Sequence, residues 1–356
     1  MPLSPLRPAR VLAAAVLALG TGVGLLAPAS AAPGRPGERP VFCGHDQRRS
    51  PGSENLCAQP GDLLDVRIGD VHPTQPSVGY DQVFYKLGRY TLGKDAVNKK
   101  FDDWCEADGR LAAEDVQPGA RLDDPSSFTC ELPVGAETAE SLAAVKTVVV
   151  GPRGTLYLTD GHHTLTSFAE TPDGGLDLHV RLRVVANLSS LTPPAFWERM
   201  QAEGWVYLRD PQGRPVTVNR LPRTVGLATM ADDPYRSLVY FSRDIGYEQN
   251  GLPFQEFSWG SWIRDSAPVD LSAWDRADRD SYLATVESVT RAMTALPRDA
   301  VVDHGSTAAQ LGALAVWNDG KGVTKGEFGK LSRPYEDDKP GKLAYATAYR
   351  EAHGIG

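Results

Sequence analysis

The segment from residue 146 to residue 184 constrains the fold most, because its hydrophobic period changes twice. Residues 146–150 and 155–159 are rich in β-branched residues and flank the turn GPRG, which predicts a hairpin. Leu165, Phe168 and Ala169 then follow at helical spacing, which predicts a short helix. Strict alternation predicts a half-buried strand next, whose apolar residues are Leu176, Leu178, Val180, Leu182 and Val184. A hairpin, a helix and a strand in this order predict an α+β domain.

The sequence DGHH lies where the predicted hairpin meets the predicted helix. Asp160 is placed to cap the helix, and Gly161 lets the backbone approach a ligand closely. A helix N-terminus attracts anions, and His162 or His163 could donate to phosphate or act as an acid or base. On this helix His163 is predicted on the polar side and His162 towards the core. The alternative interpretation is that both imidazoles are structural.

A divalent metal ion is a further candidate for the DGHH corner, with Asp160 and His162 as ligands. Adjacent residues on a helix point about 100° apart, so His162 and His163 could share an ion only on a locally extended backbone. A further ligand from elsewhere in the chain would also be needed. The sequence does not identify a cofactor.

The first 31 residues have the features of a secretory signal peptide. Arg7 and Arg10 precede the apolar residues 11–26, and a small-x-small pattern ends at Ala31. We therefore expect cleavage near Ala31 and an extracellular protein without membrane contact after cleavage, although an uncleaved membrane anchor is the alternative.

Four cysteines follow the predicted cleavage point, and an even number suggests two disulfides in an oxidising compartment. Three pairings exist, and we favour the two that close the smaller loops. The favoured bonds are Cys43–Cys57 and Cys105–Cys130. A four-cysteine zinc site is disfavoured because the chain has no CxxC pair.

The formal charge of −8 becomes about −10 once Arg7 and Arg10 leave with the signal peptide. An acidic protein lacks the basic surface that drives non-specific nucleic-acid binding. We therefore expect no stable chromosome binding. The net charge does not exclude an enzyme with a local basic cleft.

Further patterns divide the chain into an arm pinned by one disulfide (32–61), the α+β domain (62–247) and a helix-rich C-terminal extension (248–356). Within the domain we expect a strand at 63–68, helical spacing over 81–101 and a long surface insertion over 101–130. In the extension, residues 282–296 and 306–317 are each predicted to be helical.

Three separated segments resemble the ParB-like nuclease family, relatives of the ParB and sulfiredoxin N-terminal domains. They are VRIGDVHPTQPSVGYDQVFYK (66–86), YLTDGHHTL (157–165) and DDPYRSLVYFSRDIGY (232–247). The resemblance implies a ParB/sulfiredoxin-like fold in which the glycine-led loop 161–164 holds nucleotide phosphates. The other two motifs supply four candidate ligands for substrate or phosphate: Thr74, Gln75, Lys86 and Arg236.

The chain departs from these relatives at two positions. His162 stands where sulfiredoxins carry a catalytic cysteine, so sulfiredoxin activity is excluded. Thr164 replaces the arginine that commonly ends the motif, which weakens a phosphate clamp.

The leading hypothesis is a secreted nuclease-like hydrolase of phosphodiesters, with His162, His163 and Asp160 as catalytic residues. Its substrate would be a nucleic acid or a nucleotide-like phosphoester. The alternatives are a nucleotide-binding or phosphoryl-transfer domain and a non-catalytic extracellular binding module.

Overall fold

Eleven strands and ten helices are present in the part of the chain that the computed structural model describes, residues 53–94 and 96–356. The strands are β1 Leu63–Arg67, β2 Val71–Pro73, β3 Ser77–Val78, β4 Ala113–Val116, β5 Phe128–Cys130, β6 Thr147–Val150, β7 Leu156–Leu158, β8 His179–Asn187, β9 Ala231–Asp232, β10 Val301–Asp303 and β11 Ser306–Thr307. The helices are α1 Tyr80–Thr91, α2 Ala96–Ala107, α3 Ala139–Leu142, α4 His162–Glu170, α5 Pro193–Ala202, α6 Pro234–Ser242, α7 Gln255–Ser266, α8 Arg279–Ala295, α9 Gly326–Leu331 and α10 Lys342–Ala352.

A mixed five-stranded sheet with the order β1–β8–β6–β7–β2 forms the centre of the fold. The β6–β7 pair is the predicted hairpin, and β8 is the predicted alternating strand, antiparallel to β1 and parallel to β6. Leu178, Val180, Leu182 and Val184 are buried as predicted. Leu176 is exposed instead, because β8 begins only at His179.

The two faces of the sheet pack against different partners. Val148 and Val150 belong to the main hydrophobic core. Val149 points to the opposite face, as alternation along a strand requires, and packs with Phe196 and Met200 of α5. Helical layers therefore cover both faces, and the chain is a mixed α+β protein with a helical C-terminal region.

Helix α1 lies at the centre of the helical layer and contacts α2, α4, α6 and α10. Position 88 of this helix is a glycine because a Cβ there would clash with the carbonyl oxygen of Tyr345. Gly93, with φ of +98°, follows the end of α1. The helical spacing predicted for 81–101 is thus divided between α1 and α2.

The predicted surface insertion at 101–130 is in fact part of the main core. Its Cys105–Cys130 disulfide is present as predicted. Trp104, Leu122 and Phe128 are nevertheless buried, since α2 and the β4–β5 pair pack them inward.

The helix predicted over 282–296 is present as α8, which begins earlier, at Arg279; its Tyr282, Val286 and Met293 are buried. The predicted helix at 306–317 is wrong. Thr307 ends β11, and turns follow through Gly312, whose φ of +69° interrupts any regular helix. The predicted signal peptide, arm residues 32–52 and Cys43 lie outside the described residues, so the Cys43–Cys57 bond stays a prediction.

Candidate active site

Helix α4 begins at the DGHH corner, but its N-cap is Gly161 rather than the predicted Asp160. Gly161 has a φ of +102°, a left-handed conformation that favours glycine. A Cβ at Gly161 would lie 2.5 Å from Cγ of Lys146. No side chain caps this helix, so the N–H groups of its first turn lack the partner that a capping residue supplies.

Both histidines accept hydrogen bonds from the segment between β2 and α1. The backbone N–H of Thr74 donates to Nε2 of His162 at 3.1 Å, and that of Gly79 donates to Nε2 of His163 at 3.0 Å. A neutral ring that accepts at Nε2 carries its proton on Nδ1. The pair therefore ties the Thr74–Gly79 segment to the start of α4.

His163 is buried, although it was predicted on the polar side of α4. Helix α1 packs against α4, and Thr166 and Ser167 are fully buried as well. Polar residues on α4 are therefore bonded inside the protein: the Ser167 hydroxyl, for example, donates to the His163 carbonyl at 2.8 Å.

Burial and the nearby positive charge of Arg236 keep both imidazoles neutral. Together they lower the pKa of His162 to about 3 and hold the pKa of His163 well below its usual range. Both rings are consequently uncharged near neutral pH, and Nε2 of each is already engaged. The geometry favours a positioning function for these residues over proton donation from an imidazolium.

His162 should make the protein less stable as the pH falls. Its pKa is lower in the folded than in the unfolded state. The contribution of His162 to the free energy of unfolding is therefore fully present above the unfolded-state pKa and is lost as the pH falls towards the folded-state pKa. Between pH 7 and pH 5 we expect a loss of about 2 kcal/mol from this residue. The side-chain carbonyl of His162→Gln can still accept from the Thr74 N–H. Between pH 7 and pH 5, the free energy of unfolding of this variant, measured in urea, should fall by about 2 kcal/mol less than that of the wild type.

The exposed His179 supplies the matched control for this measurement, because it pairs with Asp65 at the surface. His179→Gln, measured in the same way, shows the effect of removing an imidazole at the surface. Equal slopes for His162→Gln and the wild type would contradict the buried neutral state.

A cleft of about 510 Å³ opens at the N-terminus of α4. It brings together residues from all three predicted motifs: Gln75, Asp160, Gly161, His162, His163, Thr164 and Arg236. Lys146, Arg243 and Glu256 also line it, so three cationic side chains face two carboxylates. This local excess of positive charge contrasts with the net charge of −8 for the chain.

Arg236 is the cation that most clearly lacks partners. Its side chain is only 5% exposed, and Nη2 donates to Oε2 of Glu256 at 3.0 Å. Nε and Nη1 are buried and have no hydrogen-bond partner within the described part of the chain. Leaving a buried charged donor unpaired is costly, so we expect a water molecule or an anion entering from the cleft to bond these two N–H groups.

The other predicted ligands divide between cleft and scaffold. Gln75 lines the cleft, while its amide donates to the Ser77 carbonyl at 2.7 Å. The Thr74 hydroxyl donates to the Leu158 carbonyl at 2.5 Å, which makes it part of the support of the site. Lys86 pairs with Asp103 at 2.9 Å and is not among the residues that line the cleft.

The donor set does not fit the metal site predicted at Asp160 and His162. Nε2 of His162 is occupied by the Thr74 N–H, and the ring proton lies on Nδ1. Over residues 53–94 and 96–356, no three His, Cys, Asp or Glu side chains are grouped as metal ligands would be.

Three residues of the cleft were not predicted from the sequence: Lys146, Arg243 and Glu256. Glu256 of α7 bridges two arginines, Arg236 and Arg243, which lie seven residues apart in the sequence. Two helical turns separate such residues, so their spacing was a signal that both face the same way.

The fold and this cleft define an α+β protein in which an uncapped helix N-terminus lies in a cleft lined by Lys146, Arg236 and Arg243. Residues 64–265, more than half of the chain, match the family model described as "Putative ParB-like nuclease", and the chain belongs to that family. Among solved structures it is similar to protein Atu1540 from Agrobacterium tumefaciens, with 24% identity and a TM-score of 0.44. That similarity covers 66% of this chain and 93% of the other. No curated protein matches this chain.

Proposed function

We propose that the protein is a phosphodiester hydrolase of the nuclease type, with its reaction centre in the cleft at the N-terminus of α4. The observation that carries this proposal is the buried guanidinium of Arg236, which has two unpartnered N–H groups. The uncapped first turn of α4 lines the same cleft. Helix N-termini and arginine side chains are both suited to phosphate oxygens.

Arg236 and the first-turn N–H groups of α4 would stabilise the charge that grows on the phosphate oxygens in the transition state. Donors already fixed in a partly buried site act without reorganisation during the reaction. His162 and His163 serve this site indirectly, because their hydrogen bonds fix the Thr74–Gly79 segment against α4.

Asp160 is the carboxylate that we assign as general base. Its side chain is 67% exposed at the cleft, and the nearest cation, Nζ of Lys146, is 3.7 Å away. Glu256 is less suitable because two arginines already share it. In the proposed step a water oxygen bonds to phosphorus and gives a proton to Asp160. The phosphorus bond to the leaving oxygen breaks, and that oxygen takes a proton from solvent.

The test uses the disulfide-bonded protein with bis(p-nitrophenyl) phosphate, DNA and RNA, with Mg²⁺, Mn²⁺ or chelator. We expect hydrolysis by the wild type and a loss of roughly 100-fold or more in Asp160→Asn, as is typical for a general base. Asp177→Asn, at a side chain that is 93% exposed, should leave the rate unchanged.

Absence of cleavage by the folded wild type under all of these conditions would contradict the hydrolase. Phosphate binding without cleavage would instead favour the ParB/sulfiredoxin-like alternative, a nucleotide-binding or phosphoryl-transfer domain.

We also propose that the chain is exported and cleaved near Ala31. The charged, apolar and small-residue order of its first 31 residues supports this, as does the Cys105–Cys130 disulfide. No helix in the part of the chain searched, the described residues, is long and apolar enough to cross a membrane. Intact-mass analysis of secreted protein should find an N-terminus at Ala32, and an unprocessed N-terminus would contradict the proposal.

A further inference from the structure

The cleft has an apolar and aromatic lip in addition to its charged region. Trp205, Leu252, Pro253 and Phe254 line it together with the buried Phe257. Leu252 is 43% exposed, while Trp205 and Phe254 are partly exposed. Water-facing apolar side chains beside a phosphate site are suited to a ligand with both a charged and a flat apolar part.

The aromatic side chains begin directly beside Arg236. Its guanidinium carbon lies 5.9 Å from the ring centroid of Phe257. Phe257 in turn stacks on Tyr207 at 4.1 Å, and its centroid is 6.0 Å from that of Phe254. A phosphate bound at Arg236 would therefore have aromatic surface next to it.

The backbone of Thr74, which His162 fixes through one hydrogen bond, also holds this lip through another. The N–H of Tyr207 donates to the Thr74 carbonyl at 2.9 Å, and the N–H of Thr74 donates to His162. Across the cleft, a Cβ on Gly204 would lie 3.0 Å from Cβ of Pro253, so the Trp205 turn touches the loop before Phe254. The distance between phosphate site and aromatic lip is thus set by the fold.

We infer that Trp205 and Phe254 form a stacking subsite for a nucleobase next to the phosphate site, an inference that rests on the proposed function. Within the described residues no aromatic ring packs face to face with the Trp205 indole. Stacking on such a ring needs an unpaired base and tolerates any base sequence. The preferred substrate is accordingly single-stranded nucleic acid, or a nucleotide, rather than a duplex or a simple sugar phosphate.

The test compares thymidine 5′-monophosphate with 2-deoxyribose 5-phosphate, which carries the same phosphate without a base, by calorimetry on the disulfide-bonded protein. We expect the nucleotide to bind roughly tenfold tighter or more, because one stacked base contributes about that much. Trp205→Ala should remove this difference and leave sugar phosphate binding unchanged, and Trp205→Phe should keep most of it.

Trp197→Ala is the matched control, because Trp197 packs against Tyr157 and Phe196 and does not line the cleft. It should retain the preference for the nucleotide. Equal affinity of the wild type for both ligands would overturn the base subsite but would not contradict the phosphate site. If neither ligand binds, both the subsite and the proposed function are overturned.

Discussion

Replacing Arg236 with methionine should reduce kcat/KM for phosphodiester hydrolysis by roughly 100- to 1,000-fold, the effect of removing one fixed transition-state donor. The substitution removes Nε and Nη1, the two N–H groups that have no protein partner in the described residues. It does not leave Glu256 unpaired, because Arg243 still donates to that carboxylate. The fold should therefore survive, and steady-state kinetics beside circular dichroism would show this.

Arg264→Met is the matched control for this experiment. Arg264 is also largely buried, but it pairs with Asp265 and does not line the cleft. Its loss should change kcat/KM by less than the loss of Arg236. If Arg236→Met retained activity within about threefold of the wild type, the assignment of Arg236 to the transition state would be wrong.

Asp81→Asn should lower the free energy of unfolding by about 3–5 kcal/mol, because it leaves the buried guanidinium of Arg350 without its counter-charge, whereas Arg276 keeps Asp232. Asp81 is buried in α1 and accepts from Nε of Arg350 at 2.7 Å and Nε of Arg276 at 2.8 Å. The Tyr282 hydroxyl donates to the same carboxylate at 3.1 Å. This cluster joins the ParB-like domain to α8 and α10. The domain and these helices should therefore unfold together, in a single urea transition.

Asp177→Asn again provides the control, because the ion pair of Asp177 with Arg67 lies at the surface. Because solvent screens exposed pairs of this kind, the loss of Asp177 should leave the free energy of unfolding nearly unchanged. A similarly small loss in Asp81→Asn would mean that the buried cluster does not hold the C-terminal helices to the domain.

Local patterns predicted the elements around the site, whereas long-range pairing could not be inferred from them. The hairpin, α4 and β8 follow from residue spacing within one segment. The pairing of β2 with β7 brings Thr74 next to His162, which lies 88 residues away in the sequence. Nothing local in either segment specifies that partner.

Within the site, Arg236 and the DGHH corner were recognised because motifs contain them, and Glu256 was not. Helix α7 carries Phe257, Trp259 and Trp262 beside Glu256, and all three aromatic residues are buried. A helix that is apolar on several sides has no clear polar face, so its one cleft-facing carboxylate does not stand out. The buried state of His163 was missed because α1 covers a face of α4 that is polar in sequence.

The most direct test of the central claim is a crystal structure of the protein soaked with thymidine 5′-monophosphate. Our account predicts the phosphate within hydrogen-bonding distance of Nε or Nη1 of Arg236 and of the first-turn N–H groups of α4. A nucleotide bound elsewhere, with this cleft holding only water, would contradict the account.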